Sequence, residues 1–187
     1  MPVLGLDIGG ANLKAAHTAG GARTQPFALW KDTSWLPTAL RELLHGWPPY
    51  DLLAVTMTGE LCDCFASKRQ GVEAILAAVT ASAGGKPVLV WLTDGRFVDV
   101  AEARNAPLRA AASNWLALAV FAGRFAPHGP ALLIDVGSTT TDIVPLIDGQ
   151  PKSRGRTDPE RLRCGELVYS GVRRTPLCAL LGGFGAA

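Results

Sequence analysis

The feature that most constrains how this chain folds is a repeat of its own opening. Leu4-Gly5-Leu6-Asp7-Ile8-Gly9-Gly10-Ala11-Asn12-Leu13-Lys14-Ala15-Ala16 aligns without gaps on Leu132-Leu133-Ile134-Asp135-Val136-Gly137-Ser138-Thr139-Thr140-Thr141-Asp142-Ile143-Val144, 128 residues later. Leucine, aspartate and glycine coincide at Leu4/Leu132, Asp7/Asp135 and Gly9/Gly137, and apolar residues meet at Leu6/Ile134, Ile8/Val136, Ala15/Ile143 and Ala16/Val144. Each copy reads as an apolar strand ending near an aspartate, a turn of glycine or small polar residues, and a returning strand, which is a β-hairpin pattern. Similarity at a fixed offset predicts two related lobes.

Between the copies the chain alternates between the two kinds of periodicity. Phe27 to Trp30 is expected to add a third strand. Ser34 is a candidate N-cap for a helix carrying Leu36, Leu40, Leu43 and Leu44 and stopped by Gly46, with Pro37 tolerated in the first turn. Leu52 to Thr56 and Val88 to Leu92 are near-continuous apolar runs of the kind buried strands make. Val72, Ile75, Leu76 and Val79 mark an amphipathic helix, and residues 101–125, rich in Ala and Leu, provide for one or two more. Strands alternating with helices predict an α/β sheet flanked by helices. Pro127-His128-Gly129-Pro130 is the best boundary, giving a first lobe at 1–126 and a second beginning at 127–187.

Composition removes several classes of function. With 48% hydrophobic and 18% charged residues, the chain carries enough apolar mass for a packed core and is not of the disordered kind. A net charge of +2, scattered along the sequence, is too weak for a nucleic-acid or polybasic membrane footprint. The longest uncharged apolar stretch, Trp115 to Gly123, is about half of the ~20 residues a bilayer span needs. Met1 is followed directly by what reads as a strand, and the four cysteines are too sparse for a disulfide scaffold, so a cytoplasmic protein with reduced thiols is expected.

The repeated hairpin has the chemistry of phosphate and metal handling. Gly9, Gly10 and Gly137 leave main-chain N–H groups open to a phosphate oxygen that a Cβ would shield. Asp7 and Asp135 are placed to hold a hydrated Mg²⁺ beside it. Asn12 and Lys14 give the first turn a polar and a cationic group; Ser138, Thr139, Thr140 and Thr141 give the second its hydroxyls. Asp142 reads either as a base or orienter of metal-bound water, or as an exposed strand residue. Glu60, in Thr58-Gly59-Glu60 after a buried strand, reads either as an acid, base or amine partner, or as a solvated turn glutamate. Arg154, Arg156, Arg161 and Arg163 form a basic cluster in which one or two, Arg154 and Arg156 foremost, are expected to touch an anionic substrate. Ser67-Lys68-Arg69-Gln70, ahead of a helix, reads either as cations for an anionic substrate or as solvated charge, Cys62-x-Cys64 as packed or idle thiols, and Trp115 as core. His17, His45 and His128 share no spacing that assigns them a role.

These loops resemble the paired phosphate loops of the actin, sugar kinase and heat-shock chaperone ATPase superfamily. Asp135-Val136-Gly137-Ser138-Thr139-Thr140-Thr141-Asp142 is most similar to the second loop of its hydantoinase A and oxoprolinase group. Gly5 to Lys14, Thr56-Met57-Thr58-Gly59-Glu60-Leu61, Ser113-Asn114-Trp115, Gly165-Glu166-Leu167-Val168-Tyr169 and Arg174-Thr175-Pro176 resemble a subfamily linked to tetrahydromethanopterin one-carbon metabolism, with archaeal members in the methanofuran pathway. The resemblance implies a duplicated ribonuclease-H-like fold and a cleft between lobes. It also implies Mg²⁺-assisted transfer of a furanylmethyl group from a diphosphate to a phenol. ATP-dependent cyclic-amide hydrolysis, small-molecule phosphorylation by ATP, and non-catalytic nucleotide binding are the alternatives. The expected ligand is a small phosphorylated molecule, with neither nucleic acid nor membrane as partner. Since residues 127–187 hold only the opening of a second lobe, that lobe is expected to be incomplete, leaving room for a homo-oligomer or a partner that completes it.

Overall fold

A computed structural model describes residues 1–172 and Thr175. The sequence signals at Arg174, Pro176 and Cys178 lie outside the described residues. The chain divides into two units, Met1–Asn114 and Trp115–Ala187.

Unit 1 is built on strands β1 (Val3–Ile8), β2 (Asn12–His17), β3 (Ala22–Pro26), β4 (Leu52–Met57), β5 (Val88–Trp91) and β6 (Phe97–Asp99), in the order β3-β2-β1-β4-β5-β6. The hairpin β1–β2 is antiparallel, while β4 lies parallel to β1 with Asp7 opposite Thr56, and β5 lies parallel to β4. Parallel neighbours need a helical crossover. Here α1 (Leu36–Leu44) connects β3 to β4, and α2 (Lys68–Ser82) connects β4 to β5. Leu36, Leu40 and Leu43 of α1 and Val72, Ile75, Leu76 and Val79 of α2 join Leu4, Leu6, Ile8, Leu53, Val55 and Met57 in one core. The short helices α3 (Val100–Asn105) and α4 (Pro107–Ala110) complete the unit.

Unit 2 is a four-stranded sheet of β7 (Pro130–Val136), β8 (Thr141–Ile147), β9 (Gln150–Pro151) and β10 (Leu167–Val168), with β8 central, plus α5 (Asn114–Gly123) and α6 (Asp158–Arg163). Its core is small: Trp115 and Ala119 of α5 pack on Val144 and Leu146 of β8, with Leu116, Ala131 and Leu133 partly buried against them.

The α/β class and both hairpins match expectation, but local boundaries differ. The third strand is Ala22–Pro26, not Phe27 to Trp30. Pro26 ends it, and the Phe27 and Leu29 N–H groups turn to the Ala11 and Gly10 carbonyls. Ser34 is not the N-cap of α1; it lies inside a 3-10 turn capped by the Asp32 carboxylate, which accepts from the Ser34 N–H at 2.8 Å. Residues 101–125 form three helices, because Pro107 restarts the chain after Ala106 and the Ala112 backbone takes φ +47°. The unit boundary falls at Asn114/Trp115, not at 126/127, because Trp115 and Ala119 bury themselves on the second hairpin.

Candidate functional site

The two repeated loops share one backbone turn. The Gly9 N–H donates to the Asn12 carbonyl at 3.0 Å, and the Gly137 N–H donates to the Thr140 carbonyl at 2.8 Å. A Cβ on either glycine would stand 3.0 Å from that same oxygen. A side chain would therefore crowd both turns in the same way, and the repeat seen in the residues is a repeat of geometry.

In unit 1, Asp7 stands near the carboxyl end of the central strand β1, between Lys14 on β2 and Thr56 on β4. The Lys14 Nζ lies 3.0 Å from Asp7 Oδ2, and the Thr56 hydroxyl lies 3.5 Å from Asp7 Oδ1. Lys14 remains more than half exposed, so its charge is open to an incoming anion. The parallel strands β1 and β4 deliver their loops at the same edge: the Thr58 N–H donates to the Ile8 carbonyl at 3.0 Å, beside Gly9 and Gly10. This is where open α/β sheets take ligands. The structure thus brings Asp7, Gly9, Gly10, Asn12, Lys14 and Thr58 together. Cys62 backs the loop; a Cβ on Gly10 would come within 2.6 Å of its Sγ. Burial, with Cys64 and Glu60 nearby, pushes the Cys62 thiol up to about 11, which keeps it protonated and unreactive at neutral pH.

Glu60 is not a solvated turn residue. It is buried, and its Oε1 accepts the Ala112 N–H at 2.7 Å, stabilising the left-handed backbone there. Gly71 of α2 is packed onto the Glu60 backbone so closely that a Cβ would meet its Cα at 2.7 Å. The helix and the loop after β4 are locked together at that point.

In unit 2 the repeat carries an exchange of charge. The cross-strand partner of Asp7 is Lys14, and the cross-strand partner of Asp135 is Asp142. Two carboxylates facing each other across an antiparallel pair repel. The compensating cation is Arg161, which is wholly buried. Its Nη1 lies 2.6 Å from Asp142 Oδ1, its Nη2 donates to the Glu166 carbonyl at 2.8 Å, and its guanidinium lies 3.9 Å from the Trp115 ring centre. Burial raises the Asp142 pKa, Arg161 pulls it back and Asp135 adds to the rise; the net result lies above the ordinary value. Asp142 is therefore half-buried and paired, unlike the exposed strand residue that was its alternative reading.

Loop 2 is also held from behind. The Val172 N–H donates to the Gly137 carbonyl at 3.1 Å and the Thr141 hydroxyl donates to the Ser170 carbonyl at 2.6 Å. Gly171 approaches so closely that a Cβ would stand 2.5 Å from the Thr139 nitrogen. Ser138 is exposed, and Thr139 and Thr140 are half-buried.

The arginine cluster separates. Arg154 and Arg156 are exposed, with Arg154 donating to the Cys164 carbonyl at 3.0 Å, whereas Arg161 turns inward. The Glu166 carboxylate shapes this stretch by accepting the Arg154 and Gly155 N–H groups at 2.7 and 3.1 Å. Burial alone would raise the Glu166 pKa, but these donors outweigh it and hold it below the ordinary value. Sequence reading missed the Asp142–Arg161–Trp115 stack and the Glu166 clamp. The signal was present as the change from Lys14 to Asp142 at matching repeat positions, since a carboxylate inside a strand opposite another needs a cation.

No group of three His, Cys, Asp or Glu able to hold a metal occurs among the described residues. The donor set instead fits Mg²⁺ of the kind held by one or two carboxylates together with substrate phosphate and water. Asp7, whose oxygens face Lys14 and Thr56, would be such a carboxylate in unit 1, and Asp135 stands at the matching repeat position in unit 2.

Comparison with known proteins extends this picture. Residues 51–184 match the family described as Hydantoinase/oxoprolinase. The chain is 38% identical over 181 residues to the (4-{4-[2-(gamma-L-glutamylamino)ethyl]phenoxymethyl}furan-2-yl)methanamine synthase of Methanocaldococcus jannaschii, covering 95% of this chain and 53% of that protein. It is 55% identical over 49 residues to the synthase of the same name from Methanococcus vannielii, covering 26% and 22% of the two chains. The chain thus spans about half the length of the first of these relatives, and less of the second. Among solved structures it resembles the Aquifex aeolicus member of the Ppx/GppA family, with TM-score 0.51 and 15% identity over 82% of this chain and 49% of that one. It also resembles an exopolyphosphatase-like protein, with TM-score 0.50 and 15% identity over 81% and 48% of the two chains. These likenesses show the fold, which is the ribonuclease-H-like α/β fold of the actin-type ATPases.

Proposed function

The chain belongs to the hydantoinase/oxoprolinase family, and from that premise we propose that it is a biosynthetic enzyme forming an aryl ether on a furanylmethyl carbon in one-carbon cofactor metabolism. The observation that supports this most is the pair of loops with the same glycine turn but opposite cross-strand chemistry, Lys14 beside Asp7 in one and Asp142 beside Asp135 in the other. The first suits a leaving diphosphate. The second, with the same glycine turn and Asp135, suits phosphate as well, and Asp142 beside it suits a proton.

In this reading the bond from the furanylmethyl carbon to the diphosphate oxygen breaks and a bond from that carbon to a phenol oxygen forms. Diphosphate leaves with the bonding electrons, and the phenol gives up its proton. Lys14 and the main-chain N–H groups around Gly10 neutralise charge growing on the departing diphosphate, the type of fixed electrostatic help that is worth most at a developing anion. Asp142, whose pKa is raised by burial and whose carboxylate Arg161 holds, is the proton acceptor that unit 2 offers for the phenolic proton. Mg²⁺ bound at Asp7 would supply Lewis-acid neutralisation of phosphate charge. Asp7 itself anchors Lys14, and Thr58 borders the loop.

The test is to incubate the chain with a furan-methanamine diphosphate and γ-glutamyltyramine in Mg²⁺ without ATP. Diphosphate release with ether formation is expected, and Lys14→Ala should slow it by about two orders of magnitude. ATP hydrolysis dependent on a cyclic amide, with no ether formed, would replace this reading by that of an ATP-dependent hydrolase.

A further inference from the structure

The segment that follows β3 is fastened to loop 1, and the reaction described above leaves it without a part. The Phe27 N–H donates to the Ala11 carbonyl and the Leu29 N–H to the Gly10 carbonyl, both at 3.0 Å. Leu29 is wholly buried. A Cβ on Gly59 would meet its Cδ2 at 2.6 Å, and its carbonyl accepts the Cys64 thiol at 3.7 Å. Leu29 is thus wedged between loop 1 and the loop after β4. The next residue, Trp30, turns to solvent: it stays 51% exposed, with the Lys31 Nζ over its ring 5.1 Å from the centre. The Lys31 N–H closes a turn onto the Ala28 carbonyl at 2.9 Å, which fixes where the pair leaves the loop. A single exposed apolar residue is ordinary on a protein surface. An indole with an ammonium on its face, one residue from a main-chain bond to a glycine turn of the phosphate type, is a more specific arrangement. Lys31 also adds a cation to the segment bonded to loop 1, where Lys14 is already more than half exposed.

We propose that Trp30 is the ring subsite for the ligand of loop 1. A planar ring joined through one carbon to a diphosphate stacks on the face of Trp30 that Lys31 leaves open, while Lys31 and Lys14 supply charge for the diphosphate. The inference rests on the reading of loop 1 as a diphosphate site and adds the selectivity that the loop lacks. The glycine turn and Lys14 recognise charge, which every diphosphate carries. An aromatic face separates an arylmethyl diphosphate from an alkyl one, because stacked rings gain beyond the area they bury. A ring held in this way also fixes the reacting carbon beside the loop.

Calorimetric titration of this chain in Mg²⁺ with inorganic diphosphate, methyl diphosphate and benzyl diphosphate tests the subsite. Benzyl diphosphate should bind about tenfold more tightly than methyl diphosphate. Trp30→Ala should erase that difference while leaving the binding of inorganic diphosphate and the melting temperature unchanged, and Trp30→Phe should keep most of it. Trp35→Ala, at a residue 62% exposed in the following 3-10 turn, should keep all of it. Equal binding of benzyl and methyl diphosphate, or a difference that survives Trp30→Ala, overturns the ring subsite and leaves the reading of loop 1 standing. A loss of the same size in Trp35→Ala overturns it as well. Failure of all three ligands to bind removes the diphosphate reading of loop 1 and the subsite with it. ADP in a fourth arm, held through Trp30 more tightly than benzyl diphosphate, would overturn the arylmethyl assignment in favour of a nucleotide.

Discussion

At Asp142 and Glu166 the same unit holds two carboxylates shifted in opposite directions, and the two should leave opposite marks on stability. Asp142 binds its proton more tightly in the folded chain than in the unfolded one, so stability falls as pH rises through the ordinary aspartate range, about pH 4, and levels off above the raised native value. Asp142→Asn should remove that fall in urea midpoints measured across pH. Glu166 holds its proton less tightly when folded, so its contribution is full above the ordinary glutamate range and is lost as pH drops toward the lowered native value; Glu166→Gln should remove that loss. Arg161 bonds the Asp142 carboxylate and the Glu166 main-chain carbonyl. Removing one member of a buried ion pair strands the other, and Arg161→Met should cost about 3–5 kcal/mol in chemical denaturation. The double change Arg161→Met with Asp142→Asn should recover a large part of it, because the stranded charge is then gone.

The elements show which parts of the structure were legible in sequence. Both hairpins could be read because an alternating or continuous apolar strand, an aspartate and a glycine turn repeat at one offset. The helices of unit 1 were legible from their leucine and valine spacing. The third strand was missed because Phe27 and Leu29 look like strand residues, yet their N–H groups are used by the Ala11 and Gly10 carbonyls of loop 1. The break of residues 101–125 into three helices was hidden because Ala-rich sequence favours helix throughout, while the Glu60 carboxylate, distant in sequence, holds the Ala112 turn. Close backbone approach was equally invisible. Gly123 at the end of α5 meets the Gly149 carbonyl in the β8–β9 turn, where a Cβ would overlap that oxygen. Gly123→Ala should therefore destabilise unit 2 by about 1–3 kcal/mol, read from the shift in its denaturation midpoint. An unchanged midpoint would mean that the helix and turn part without cost.

For the whole molecule, fold and family were readable because the loops, the Thr58-Gly59-Glu60 segment and the Gly165-to-Tyr169 block are short, separated and chemically specific. The site was readable in part. Asp7, Gly9, Gly10 and Lys14 do converge, whereas Glu60 is turned to the Ala112 backbone and Arg161, grouped in sequence with the exposed Arg154 and Arg156, is buried on Asp142 and Trp115. Burial of a charge depends on partners far along the chain, and no local pattern reports it. The central claim is that the two loops handle phosphate with their aspartates, and calorimetric titration of inorganic diphosphate in Mg²⁺ tests it most directly. Saturable binding is predicted, weakened at least tenfold by Asp7→Ala and by Asp135→Ala and by chelation of Mg²⁺. Binding of equal strength in the wild-type chain and in both variants would contradict the account.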